Sequence, residues 1–265
     1  MDFMEYHHHT DNSFDSKAQM KDVCQQAINK GIAEICFTEH FSVNPKAPTY
    51  GHMDFKRYFS QIEQCRELFG SQLIIKAGIE LCEPHLMKED YQEALADLEL
   101  DFILGSVHNI KEEKLRTFMV NKTKEEIYQD YFEEVYELVS QADIDVIAHL
   151  DLIKRYATES VGNYNFDKYK ALIEKILLKA IERGIGIEIN TSGLSKSGLI
   201  ETFPSMAVLR LYRALGGEIL TIGSDSHQAK TVGFNQEIAL KMAKEAGFDK
   251  VYVFKKRLPS TLSLN

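Results

Sequence analysis

Short apolar runs of β character recur seven times along this chain, and each gives way to a polar break and then to a stretch with helical apolar spacing. The runs predict strands at about 2–7, 32–38, 73–79, 101–106, 144–149, 185–190 and 219–224. Between them, amphipathic patterns predict helices at 17–30, 55–69, 124–141, 167–183, 205–215 and 237–246. In 167–183, for instance, Leu172, Ile173, Ile176, Leu177, Ala180 and Ile181 recur on one helical face. Gly31, Gly184, Gly216 and Gly247 each follow a helical stretch, where a left-handed terminal residue is expected. Strands alternating with helices imply a parallel sheet covered on its faces. The expected fold is therefore α/β, a closed or nearly closed seven-stranded parallel (β/α)7 barrel of TIM type. A doubly wound open sheet is the alternative, but no glycine-rich dinucleotide fingerprint follows the first strand. The segment 251–254 adds one more short strand candidate, and 41–54 and 157–165 are the long polar loops expected over a site.

The 265 residues suit one barrel domain spanning 1–265, and no linker or low-complexity tract suggests a second. A net charge of −9 argues against a partner recognised through a nucleic-acid backbone. No apolar stretch approaches the roughly 20 residues needed to cross a bilayer, and no basic-then-apolar leader opens the chain. Cys24, Cys36, Cys65 and Cys82 are widely spaced with no C-x-x-C pair, as expected of reduced thiols in the cytoplasm. Cys36, inside an apolar run, is expected to be a small core residue.

The chemistry lies where the apolar runs end. Six of the nine histidines sit there: His7 and His9, His40, His108, His149 and His227. Glu80 and Asp225 occupy the same kind of position. Strand ends of an α/β barrel meet on one rim, so ligands remote in sequence gather there. Imidazole with carboxylate suits zinc, manganese or iron. In an extended segment residues two apart share a face, so His7 and His9 can hold one ion while His8 points away. Glu80 ends a buried run where an unpaired carboxylate is costly, and its two oxygens can bridge two cations. In D-S-H, Asp225 and His227 likewise share a face. Arg155 lies past a strand end and could fork onto phosphate oxygens or pair with Asp151 or Glu159, and Lys196 is a similar case. His52 and His85 lie in loops near the expected mouth without an assigned role.

The ordered set H-x-H, T-E-H, G-I-E, G-S-V-H, A-H-L-D-L-I-K-R and G-S-D-S-H resembles the polymerase and histidinol phosphatase (PHP) superfamily, most closely its histidinol-phosphate phosphatases. The resemblance runs from His7 to the F-K-K-R tail at 254–257. It implies a distorted seven-stranded barrel holding three divalent metal ions. Carried over by position, the first ion falls to His7, His9, Glu80 and Asp225, and the second to Glu80, His108 and His149. The third falls to Asp15, His40 and His227, with Asp15 standing where several relatives have histidine. Glu80, Asp225 and His227 become the catalytic group, Arg155 and Lys196 the substrate-binding cations, and Glu39 a support for a ligand histidine. Relatives often carry arginine in the neighbourhood of Lys196.

The implied activity is metal-assisted hydrolysis of a small-molecule phosphate monoester, L-histidinol phosphate, in histidine biosynthesis. Glu83 and Glu112 are candidates to contact its ammonium group. A metal-dependent amidohydrolase also uses a barrel-end H-x-H and a terminal aspartate, but normally with a lysine or carbamate bridge in place of Glu80. A PHP-type phosphoesterase for another small ester, and a non-catalytic PHP module of a larger assembly, are the remaining alternatives. The complete ligand set argues against the last.

Overall fold

The computed structural model describes residues 3–195 and 201–264. The main sheet is built from β1 (Phe3–His8), β2 (Ile32–Phe41), β3 (Ile74–Cys82) and β4 (Phe102–Ser106), and then from β7 (Val146–Ile147), β8 (Gly186–Asn190) and β9 (Leu220–Gly223). The strands lie in chain order and every pair is parallel. At the rim the two outer strands meet: the Asp225 amide donates to the His7 carbonyl at 2.8 Å, and the His9 amide to the Ser226 carbonyl at 2.9 Å. The sheet thus closes on itself almost completely, as the strand–helix alternation predicts.

Between the strands run α1 (Met20–Asn29), α2 (Phe55–Phe69), α3 (Lys88–Leu95), α4 (Leu115–Phe118), α5 (Lys124–Gln141), α6 (Lys154–Ala157), α7 (Phe166–Glu182), α8 (Met206–Ala214) and α9 (Gln236–Glu245). Their limits follow local chemistry. Asp54 caps α2 by accepting from the Arg57 amide, and Thr123 and Glu126 form a reciprocal cap on α5. Gly31, Gly184, Gly216 and Gly247 all adopt positive φ after their helices. The short helices α3, α4 and α6 had no clear apolar stripe by which to be foreseen. Among the described residues, no helix is long and apolar enough to cross a membrane.

Apolar side chains fill the barrel and the space beneath α5 and α7, while Ile35, Phe37 and Ile75 seal the sheet against α1 and α2. Cys36 is fully buried, and a Cβ at Gly78 would come within 2.5 Å of its sulfur. A two-strand ribbon, β5 (Asn109–Ile110) with β6 (Glu113–Lys114), follows β4. The tail forms the short strand expected at 251–254. Its strand β10 (Lys250–Lys255) stays outside the barrel sheet and pairs antiparallel with β11 (Leu258–Ser263). This hairpin closes the end away from the ligands. The Phe254 amide donates to Tyr6 Oη at 2.7 Å, and Arg257 binds Asp143 and Asp145, which lie just before β7.

Candidate metal centre

Glu80 stands near the end of β3, fully buried, and five imidazoles converge on it. Its Oε2 is 3.4 Å from His7 Nε2, 3.6 Å from His9 Nε2 and 2.8 Å from His40 Nδ1. Its Oε1 is 3.0 Å from His149 Nε2 and 3.6 Å from His108 Nε2. Asp225 completes the inner group, with Oδ1 at 3.6 Å from His7 Nε2 and 3.4 Å from His9 Nε2. On the outer side Asp15 Oδ2 lies between His40 Nε2 at 3.5 Å and His227 Nε2 at 3.4 Å. The nine candidate ligands foreseen in the sequence therefore come together on one rim.

Several local devices aim these side chains. The pairing of β1 with β2 shifts register between Glu5 and His8, an irregularity of the kind that re-aims side chains. His8 then turns toward Phe37, its ring edge-on at 6.1 Å between centroids, and both its ring nitrogens lack partners. Burial pushes His8 down to about 3, so it packs as a neutral ring. His149 and Asp225 hold their places with φ of 27° and 53°, a backbone region disfavoured for residues with a Cβ. His149 also explains why β7 is shorter than the predicted 144–149: the chain turns there and leaves the ladder. Glu39 accepts from the Thr10 amide and from Ser13 Oγ, and that hydroxyl lies 3.0 Å from His9 Nδ1. Its predicted support of a ligand histidine thus runs through Ser13.

The electrostatics fit cations. Burial pushes Glu80 upward, but His40, His7 and His108 outweigh it and hold the carboxyl well below the usual range. Burial likewise opposes ionisation of Asp225, and His7, His9 and Arg155 overcome it. His9 is driven well below its usual value by burial and by its neighbours His40 and His227, and His108 by burial to about 3. Buried anionic oxygens thus face His9 and His108 held neutral, while against burial the neighbouring carboxylates push His7, His40 and His227 upward, and a bound cation would take the place of their protons. Glu80 Oε2 is buried without a hydrogen-bond donor. Two ligand atoms on one tetrahedral ion with bonds of about 2.1 Å sit about 3.4 Å apart, close to the separations around Glu80 and Asp225.

Two carboxylates and a thiol near the centre were not foreseen. Glu188, in the middle of the apolar run of β8, lies with Oε1 2.8 Å from His7 Nδ1. Its one visible mark in the sequence is an acidic residue interrupting I-E-I-N in a buried strand. Glu5 is also fully buried, and its carboxylate accepts from the Ser224 and Gly233 amides at 2.8 Å each. Cys82, two residues past Glu80, offers its sulfur beside His40 and His108. Gly223 makes room for part of this group, because a Cβ there would stand 2.3 Å from both Glu188 Oε1 and His7 Cβ. Gly223→Ala is expected to destabilise the metal-stripped protein by about 1–3 kcal/mol through overpacking. Denaturant unfolding checks this, and an unchanged midpoint would mean that both neighbours yield freely.

A cavity of about 290 Å³ opens onto the ligands. Arg155 lines it, with Nη2 2.9 Å from Asp225 Oδ2 and also bonded to Ser192 Oγ, so it pairs with neither Asp151 nor Glu159. Asp151 instead holds Lys154 at 2.9 Å. The cavity walls come from loop 41–54, through Pro48 and Thr49, and from the segment after His108, through Lys114, Leu115 and Arg116. The loop 157–165 does not reach it: Tyr164 is turned away to Asp151 and Asn163 to Thr158. Glu83 and Glu112 are not aimed at a ligand either. Glu83 accepts from the His108 and Asn109 amides, and Glu112 pairs with Lys46. His85 is buried against Glu134, and exposed His52 does not line the cavity. Lys196 lies outside the described residues.

Known proteins agree with this arrangement. The chain is 31% identical over 255 residues to a protein of Clostridium acetobutylicum named "Probable histidinol-phosphatase", covering 95% of this chain and 96% of that one. It is 28% identical over 259 residues to the histidinol-phosphatase of Lactococcus lactis, covering 95% and 94%. The crystal structure of the L. lactis histidinol phosphate phosphatase, complexed with zinc, L-histidinol and phosphate, superposes with a TM-score of 0.90 at 26% identity, over 97% of this chain and 98% of that one. The PHP domain profile matches residues 5–192, which hold seven of the nine converging side chains, so the barrel and its histidine-rich rim are those of a member of the PHP domain family.

Proposed function

We propose that the protein is a metal-dependent phosphomonoesterase that hydrolyses L-histidinol phosphate to L-histidinol and inorganic phosphate in histidine biosynthesis. The observation that carries this reading is the convergence of five imidazoles on the buried carboxylate of Glu80. The likeness to the L. lactis enzyme over nearly its whole length supports the substrate. We assign His7, His9, Glu80 and Asp225 to one ion, Glu80, His108 and His149 to a second, and Asp15, His40 and His227 to a third. Zinc heads the choice, and the donor set also accommodates manganese or iron. Bound divalent ions supply charge neutralisation at the phosphoryl oxygens and acidify a water to a nucleophile at neutral pH.

The chain's own groups do the rest. Glu80, Asp225 and His227 frame the reacting centre. Arg155 is held by Asp225 and Ser192 beside the cavity, and its buried Nε has no hydrogen-bond partner, which leaves a donor for a phosphate oxygen. Lys196 is assigned a second contact to the phosphate. The cavity lies at the small end of the range of ligand sites, about 300–1,000 Å³, which suits a compact monoester. Phe14, Pro48, Leu115 and Tyr156 offer its organic part an apolar wall. The single barrel domain, 1–265, is taken as the whole catalytic unit. Four buried free cysteines support a reducing compartment, the cytoplasm.

Steady-state kinetics over a panel of phosphate monoesters, with elemental analysis of the same preparation, tests the reading. The value of kcat/KM for histidinol phosphate should exceed those for nucleotides and sugar phosphates by orders of magnitude. Comparable rates across the panel would leave a general phosphatase and overturn the biosynthetic assignment.

A further inference from the structure

We propose that Glu188 is a positioning residue that sets the tautomer of His7 and holds the His149 turn, so that both present Nε2 to the metal centre. The proposal rests on the assignment of His7 and His149 as ligands. β8 is buried along its whole length, and an unpaired carboxylate there would be strongly unfavourable. Glu188 meets that demand with two groups of the centre and its strand neighbour Asn190. Its Oε1 lies 2.8 Å from His7 Nδ1, and its Oε2 accepts from the His149 amide at 2.8 Å and from Asn190 Nδ2 at 3.1 Å.

A carboxylate only accepts, so His7 must place its proton on Nδ1. With a cation bound, the lone pair of the neutral ring then falls on Nε2, the atom that faces Glu80 and Asp225. The opposite tautomer would set the Nδ1 lone pair against an anionic oxygen in a dry interior. His149 depends on the same side chain in another way. Its φ of 27° takes it out of the β7 ladder, and Glu188 supplies the acceptor its amide would otherwise lack.

The register of β8 extends this support along one face. Residues two apart in a strand project to the same side, which places Asn190 beside Glu188, and Ser192 follows in the 3-10 turn after β8. Asn190 Oδ1 accepts from the Ser192 amide at 3.0 Å, and Ser192 Oγ lies 3.3 Å from Asp225 Oδ2 and contacts Arg155. A single row of side chains thus ties His7 and His149 to Asp225 and to the cation assigned to phosphate.

The test is zinc affinity, measured by competition with a chromophoric chelator on wild type, Glu188→Gln and His7→Ala, together with thermal unfolding of each metal-stripped protein. The amide cannot hold His7 in one tautomer, so Glu188→Gln should weaken zinc binding about 10- to 100-fold. Its metal-free unfolding should stay near that of wild type, and raised zinc should rescue activity. Unchanged affinity in Glu188→Gln beside weakened binding in His7→Ala would overturn the positioning role while leaving the ligands intact. Unchanged affinity in both would overturn the ligand assignment and the proposal with it. Should Glu188→Gln fail to fold, nitrogen NMR of zinc-loaded wild type decides. A slowly exchanging Nδ1–H on His7 supports the proposal, and an unprotonated Nδ1 sinks it.

Discussion

Glu80→Gln is expected to strip the protein of metal and of turnover together. Among the described residues, the glutamate is the one whose two oxygens face separate sets of imidazoles, His7, His9 and His40 on one side and His108 and His149 on the other. The amide keeps the size of the side chain but loses its charge and one of its two acceptors. It would also turn donor hydrogens toward imidazoles assigned to cations. Loss of a residue that merely supports a ligand costs about 10- to 100-fold in metal affinity or activity, so the bridging group itself should exceed that. Elemental analysis after desalting and a parallel kcat measurement give the two readouts. Full metal content with normal turnover would end the bridging assignment. Asp15→Asn makes the contrast, because among the described residues that half-exposed carboxylate pairs only with His40 and His227 and should affect the outer ion alone.

Arg155→Met should lower kcat/KM about 10- to 100-fold, the equivalent of losing one hydrogen bond to a charged group at about 1.5–3 kcal/mol. The substitution keeps the aliphatic stem and removes the guanidinium, which Asp225 and Ser192 hold beside the cavity. Arg155→Lys should recover part of the loss, since a point charge cannot reproduce a planar fork. The effect should appear with every phosphate monoester tried, because the arginine is assigned to the phosphate and not to the organic group. A loss confined to histidinol phosphate would move Arg155 to the other end of the substrate.

Much of this protein was legible before any coordinates. Seven strands, the main helices and eight of the nine converging side chains follow from patterns that need only neighbouring residues, and the ninth, Asp15, from the family resemblance. A parallel strand buried on both faces reads as an apolar run, and its end is marked by the polar residues that follow. His7 and His9 share a face because an extended chain repeats every two residues. Strand ends of a barrel share a rim, so position in the sequence already implied position in space.

What tertiary structure decided are the partners, because a partner is set by which remote strand or loop curves into reach. Nothing near Glu188 names His7, which lies 181 residues away. Glu83 was a candidate for the substrate ammonium until the return of the chain at His108 claimed its oxygens. Arg155 had two acidic neighbours in sequence and pairs with a third, Asp225, across the barrel mouth. Loop 157–165 had the composition of a lid, yet its contact from Tyr164 to Asp151 turns it aside, and the walls come from segments 41–54 and 109–116. The tail strand pairs antiparallel with β11, outside a barrel sheet whose outer strands meet through His7, His9, Asp225 and Ser226. Local periodicity determines which side chains reach the rim, and barrel closure determines what each one meets there.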